Sequence, residues 1–256
     1  MANSFTNVKV EIVLPNYNSE PYLKDTINSI INQTFKKWKL TIVDANSNAK
    51  TQKILNSFKK NKKIFIMNLE KKRKAGFCRN LAIKKSKADY IAFIDSDDIW
   101  KKEKLSRQIY FMIKNKYNFT YTNYLPFRLG VRQNKFKEIK PRKKFNFEAF
   151  TRNTSIATSS MIIKRSLIGN IKFTNTKICE DYFFKCKVLK KIKYAYCLPK
   201  NLMSYRIRKN SLQSSKMRNI YWIWHINKKY NKMNLTNNLL SLFFISLNSI
   251  KKYGFK

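Results

Sequence analysis

Residues 90–94 (YIAFI) form an unbroken apolar run that passes directly into Asp95-Ser96-Asp97-Asp98 and then Ile99-Trp100. A run of this kind, closed by a polar cluster, predicts a buried central strand, parallel to its neighbours, with three carboxylates at its C-terminal end. Ligands of open α/β sheets bind beyond the carboxyl ends of strands. Three like charges within four residues repel one another, and a divalent cation is the usual reason to keep them together. Asp and Ser also favour turns and helix N-caps, so a turn before the next helix accounts for these four residues equally well.

The chain on either side weighs toward a site. The segment 8–14 (VKVEIVL) reads as a strand that ends at Pro15-Asn16-Tyr17-Asn18. Ser19 is placed to cap a helix with Pro21 in its first turn and a stripe of Tyr22, Leu23, Thr26, Ile27, Ile30 and Ile31. A second strand, 39–43 (KLTIV), ends at Asp44-Ala45-Asn46-Ser47, and a helix carrying Ile54, Leu55 and Phe58 follows. A short strand at 64–67, a helix entered through Gly76-Phe77-Cys78-Arg79-Asn80, the central strand, and a helix with Leu105, Ile109, Met112 and Ile113 complete the first half. Strands alternating with helices over short loops predict an α/β fold with a mostly parallel sheet covered on both faces. Nothing matches GxGxxG or a P-loop.

The second half is less regular. Strands are expected at 119–124, 159–164 and 194–198, with a basic hairpin or loop over 128–145 and an amphipathic helix opened by Glu180-Asp181. The tail carries Tyr221, Trp222 and Trp224, then the very apolar 239–245 closed by Lys251 and Lys252. That stretch is too short to span a bilayer, which leaves core docking or a membrane interface.

Charge enters because it is extreme: 55 Lys and Arg against 14 Asp and Glu give a formal +41. A chain rich in Lys, Asn and Ile and poor in Gly reflects an A/T-rich coding sequence, and Lys outnumbers the Arg that nucleic-acid readers favour. The charge therefore reads as solvated surface first, membrane attraction second and nucleic acid third. Cys78, Cys179, Cys186 and Cys197 lack zinc-site spacing and read as reduced thiols of a cytosolic protein. The first eight residues lack the apolar run of a signal peptide.

Laid out in order, Leu14-Pro15-Asn16-Tyr17-Asn18, Ile31-Asn32-Gln33-Thr34-Phe35, Ile42-Val43-Asp44, Gly76 through Arg79-Asn80, Asp95-Ser96-Asp97-Asp98 and Glu180-Asp181 resemble the inverting nucleotide-sugar glycosyltransferases of family 2, which have the GT-A fold. The resemblance runs from about Val8 to about Ser211. It implies a Rossmann-like sheet with a donor-binding half over 1–125, an acceptor-binding and catalytic half over 126–215, and a helical tail over 216–256, core-docking or membrane-interfacial. It also implies that Asp98 is the main ligand of Mg²⁺ or Mn²⁺, with Asp97 at the ribose or metal shell and Asp95 supporting the cluster. Asp181 would be the general base on the acceptor hydroxyl, with a pKa raised by burial and by neighbouring acids.

Pro15 and Tyr17 would line the nucleotide pocket, and Asp44 would lie on the loop that holds the base. The family's usual second acid after that strand is replaced by Ala45, with Asn46 able to supply part of the contact. Arg79 would lie near the nucleotide or the acids, with a structural ion pair as its other role. Arg206 and Arg208, followed by Ser211, resemble a loop that closes on the diphosphate. Trp100 fits either an acceptor neighbour or a buried anchor, and His225 reads as packing. The implied partners are a UDP-linked sugar donor, a glycan or lipid-linked acceptor in cell-surface polysaccharide or lipopolysaccharide synthesis, and an anionic membrane touched peripherally from the cytoplasmic side. No specific nucleic acid is expected. The competing readings are an inactive glycan- or membrane-binding module of the same fold and a polyanion-binding protein.

Overall fold

The structure is a computed structural model and describes residues 7–131, 136–176, 178–208 and 216–253. Four parallel strands form its first half: β1 (Val10–Asn16), β2 (Trp38–Asp44), β3 (Ile64–Asn68) and β4 (Tyr90–Phe93). They alternate with α1 (Glu20–Ile31), α2 (Ala49–Ser57) and α3 (Ala75–Lys85). Past the acids come β5 (Ile99–Trp100), α4 (Lys104–Lys114), β6 (Phe119–Phe127), β7 (Lys144–Phe145) and α5 (Phe147–Thr151). Then follow β8 (Ile162–Lys164), α6 (Arg165–Ile168), α7 (Glu180–Leu189), β9 (Ala195–Arg206), α8 (Lys216–His225), a π turn (Ile226–Tyr230) and α9 (Leu235–Tyr253).

All strands join one sheet in the order β3-β2-β1-β4-β8-β6-β9-β5, with β7 on β9. β8 runs antiparallel between β4 and β6, and β6 runs parallel to β9. The central strand therefore has one parallel and one antiparallel neighbour, so the sheet is mixed but mostly parallel. The period of two along the strands sorts the core into two layers. Val13, Val43, Ile91 and Phe93 face α3, α7 and the tail helices. Ile12, Leu14, Leu40, Ile42, Ala92 and Ile94 face α1, α2 and α4.

Several expected elements differ in extent. The strand expected at 159–164 begins only at Ile162, because Thr158–Ser160 form a 3-10 turn. The last strand extends to Arg206, which brings Tyr205 and Arg206 back to the acids. Ser19 makes no side-chain cap to α1, since its hydroxyl meets Ser96 Oγ at 2.6 Å and Tyr17 O. Within the basic stretch 128–145, Ile139 bridges Tyr124 and β7 pairs with β9, while 132–135 lie outside the described residues.

The Asn-Gln-Thr motif after α1 has a structural basis. Gln33 is fully buried, donates to Ser29 O and Lys101 O, and accepts from Leu105 N, tying the end of α1 to the start of α4. The four cysteines are buried and unbonded to one another. No helix among the described residues is long and apolar enough to cross a membrane.

Candidate active site

The carboxyl ends of β1, β2 and β4 open on one edge of the sheet, and the acids follow β4 directly. The turn that holds them is fixed from several sides. Asp95 N–H donates to Ser159 Oγ, Thr26 Oγ1 donates to Ser96 O and Asp98 O, and Asp98 N–H bonds Asp95 O.

Each carboxylate has a different neighbour. Asp95 takes Arg79 Nη2 at 2.6 Å, and Asp97 takes Arg208 Nε at 2.8 Å. Asp98, only 1% exposed, accepts the Arg206 N–H on Oδ1, while Oδ2 makes no hydrogen bond. Burial, then the charge of Asp95, pushes the Asp97 carboxyl up to about 6 against the pull of Arg208 and Arg206. Burial, then Asp97 and Asp95, pushes Asp98 well above the carboxylate range.

A left-handed residue aims the second acidic pair. Cys179, at φ 59° just before α7, turns the chain so that Glu180 and Asp181 open the helix toward the first cluster. For a residue with a Cβ that conformation costs about 1–2 kcal/mol. Arg79, 5% exposed, spans the two clusters, with Nη1 at 3.3 Å from Glu180 and the guanidinium over the Phe173 ring. Arg79 thus lies at the acids, paired with Asp95 and Glu180.

Gly76 is what lets α3 approach. A Cβ there would meet Glu180 Cγ and Phe173 Cβ at 3.0 Å each. Gly76→Ala is expected to destabilise the fold by about 1–3 kcal/mol through overpacking. Urea unfolding measures this, and an unchanged midpoint would show that the contact has slack.

Asp181 departs from expectation. Burial alone would raise its pKa, but the buried Lys185 ammonium at 2.8 Å, with Arg79 behind it, brings the carboxyl down to about 2. Thr158 Oγ1 donates to the same Oδ2. The signal lies in the sequence: Asp181 and Lys185 are four apart on one helix, the spacing at which side chains meet.

Asp44 is held inside its loop. It is fully buried, and its carboxylate receives Asn16 Nδ2, Ser47 Oγ, Ser47 N–H and Gln52 Nε2 at 2.6–2.9 Å. With both oxygens hydrogen-bonded, it shapes the loop after β2. Ala45 is buried as well, whereas Asn46, at φ 63°, is exposed at the loop tip, a conformation Asn tolerates.

Pro15 is buried in β1, and Tyr17 lies exposed beyond it with Lys72 Nζ over its ring at 4.3 Å. Arg206 is buried between the rings of Tyr22 and Phe127, with Nε on Asp97 O and no hydrogen bond to either terminal nitrogen. Arg208 is partly exposed. Ser211, the end of that motif, lies outside the described residues. Trp100 is the buried anchor of its two alternatives: Nε1 donates to Ser159 O, and the wholly buried Lys104 packs on its face. His225 packs against Tyr221 and Trp222.

Among the described residues no three His, Cys, Asp or Glu side chains could hold a metal ion by themselves. Mg²⁺ and its like take one or two carboxylates and complete their shell with water and substrate phosphate. The orphaned Asp98 Oδ2 and the raised pKa of both neighbouring acids fit such a cation, because hard oxygen donors and uncompensated negative charge are what it needs.

Comparison with known proteins gives the family and the fold. The family model described as "Glycosyl transferase family 2" matches residues 11–172. A Bacillus subtilis protein, "Putative teichuronic acid biosynthesis glycosyltransferase TuaG", is 30% identical over 95% of this chain and 96% of its own length. The Escherichia coli "UDP-Glc:alpha-D-GlcNAc-diphosphoundecaprenol beta-1,3-glucosyltransferase WfaP" is 31% identical over 96% of each chain. Among solved structures, the mannosyltransferase PcManGT from Pyrobaculum calidifontis, in complex with GDP-Man and Mn²⁺, superimposes with a TM-score of 0.69 over 97% of this chain and 76% of that one. At 12% identity that likeness shows the fold alone.

Proposed function

The chain belongs to glycosyl transferase family 2, and from that premise we propose that it moves a sugar from a UDP-linked donor to a hydroxyl of a lipid-linked or surface glycan, with inversion at the anomeric carbon. The observation that carries the reading is Arg79, which joins the acids after β4 to the acids opening α7 through two ion pairs. The carboxylates assigned here to the donor and acceptor sides are thereby brought side by side.

In this reading Pro15 and Tyr17 line the nucleotide site, and Asn46 rather than Asp44 offers an amide to the base. Asp98 and Asp97 would hold Mg²⁺ or Mn²⁺, with Asp95 fixed by Arg79 as support. Bound there, the cation would screen the donor diphosphate and stabilise the departing nucleoside diphosphate. Arg208, exposed enough to move, would leave Asp97 for a phosphate oxygen, while the buried Arg206 holds the turn in place. Asp181 would accept the proton of the attacking hydroxyl, which approaches from the face opposite the leaving group. The relatives support this: one is named for UDP-Glc transfer to a diphosphoundecaprenol acceptor, another for teichuronic acid synthesis.

The test is a panel of nucleotide sugars with Mn²⁺ or Mg²⁺, read by thermal shift and by release of UDP. At least one UDP-sugar is expected to raise Tm by a few degrees, as ligand at about 100 times its Kd would, and Asp97→Asn is expected to remove the metal-dependent part. A panel in which no nucleotide sugar stabilises the protein would end the proposal.

A further inference from the structure

The helix α9 carries most of its large apolar side chains on the face turned away from the core. Its inward face is half polar: Ser241 Oγ donates to Thr151 O, Asn238 Nδ2 to Trp224 O and Asn248 Nδ2 to Arg152 O, beside Ile245 and Leu242, which pack on the core. Its outward face carries Leu235, Leu239, Leu240, Phe243, Phe244 and Leu247, each between 37% and 66% exposed. A surface helix normally does the reverse, with its apolar stripe on the core and its polar residues in solvent. Scattered exposed apolar side chains are ordinary, but a continuous row along one helix marks a contact surface.

We propose that this outward face lies in the interface of an anionic membrane, with the helix parallel to the bilayer plane. The charge around it selects that occupant. No Asp or Glu follows Asp181, so Lys and Arg alone carry side-chain charge from Tyr182 to Lys256, His225 aside. Exposed Lys228, Lys229 and Lys232 precede α9, and exposed Lys251 closes it. Basic residues flanking an apolar face are the signature of a helix held at anionic headgroups. A second copy of this chain would meet the face with the same uncompensated positive charge, which disfavours a dimer across it.

The position suits the chemistry proposed above. From the inward side of α9, Ser241 is bonded by Asn227, and Asn227 by the Tyr182 hydroxyl, so two side chains link the helix to the residue beside Asp181. This placement of a lipid-borne acceptor rests on the transferase reading, whereas the membrane contact itself does not.

The experiment uses the full chain and needs no turnover. Co-sedimentation is measured with phosphatidylcholine vesicles, with and without about 30% phosphatidylglycerol, for the wild type and for the charge-neutral double variant Leu239→Gln/Phe243→Gln. Both positions are exposed, so the variant is expected to keep the wild-type melting curve, and circular dichroism checks this. The wild type should bind the anionic vesicles about tenfold or more tightly than the variant, and should keep a measurable part of that binding at about 0.5 M NaCl, where charge attraction alone is screened. Equal binding by both proteins, lost in salt, would reduce the contact to bulk charge and overturn the proposal. A lipid-free dimer that the double variant dissolves would overturn it too, by assigning the face to a second copy. Either failure leaves the nucleotide-sugar panel unaffected, so the two proposals fall separately.

Discussion

Asp181→Asn is expected to lower sugar transfer by about a thousandfold while leaving donor affinity within about twofold, since a positioned general base contributes 10²–10⁴ in rate and none of the donor contacts is touched. The substitution is nearly isosteric. The amide can still accept from Thr158 Oγ1 and Lys185 Nζ through its oxygen, which hold the carboxylate now at 3.1 and 2.8 Å, so the local geometry is kept, but the buried Lys185 ammonium loses its counter-charge and the variant is expected to be less stable; a melting curve confirms that it is folded at the assay temperature. What disappears is the capacity to take a proton. Calorimetric titration with a UDP-sugar and Mn²⁺ measures the first quantity, and UDP release with acceptor present measures the second. A loss smaller than about tenfold in the rate would remove Asp181 from the role of base.

Lys185 makes that prediction sharper. With the Asp181 carboxyl held at about 2, it is ionised at every pH at which the enzyme would be assayed, so it adds no acid limb to kcat/KM above about pH 4. The same pairing stabilises the folded state. A depressed folded pKa contributes stability that is present above the unfolded value and is lost as pH falls toward 2. Lys185→Met removes the strongest cation and leaves burial, which raises the pKa, opposed mainly by Arg79. The variant is expected to gain an acid limb, with activity falling as pH drops through the raised pKa. If Asp181 is the base, the buried lysine weakens it as a base while keeping it ionised.

How much of this was legible in the sequence depended on where each determinant lies along the chain. The strands of the first half could be read because each is a β-branched run with its own loop, and the acids after β4 could be read because they are adjacent. Asp44 was legible as a loop residue, yet its role was not, since its four donors come from Asn16, Ser47 and Gln52, on three different segments. The lowered pKa of Asp181 was within reach, one helical turn away at Lys185. The outward apolar face of α9 was partly hidden, because the apolar run 239–245 looks alike whether it faces core or solvent. Only the partners of Asn238, Ser241 and Asn248 separate the two.

Arg79→Met is the substitution expected to injure the fold most. The guanidinium is buried between Asp95 and Glu180, and burial, which opposes its charge, is outweighed by those two carboxylates and by Asp181. Removing one member of a buried ionic group is far costlier than removing the group, because the remaining charges keep their desolvation and lose their compensation. The single variant is therefore expected to lose about 3 kcal/mol. The triple variant Arg79→Met/Asp95→Asn/Glu180→Gln should lose clearly less than the sum of its parts, as coupled neighbours do. Arg79→Lys should recover little, since one ammonium cannot reach two carboxylates with the fork geometry seen here. Urea unfolding of the wild type, Arg79→Met, Arg79→Lys, Asp95→Asn, Glu180→Gln and the triple variant decides the matter. If Arg79→Met shifts the midpoint by less than about 1 kcal/mol, or if the triple variant is simply additive, then the two acidic clusters are held together by their packing on Phe173 and Gly76, and Arg79 is left to act on substrate.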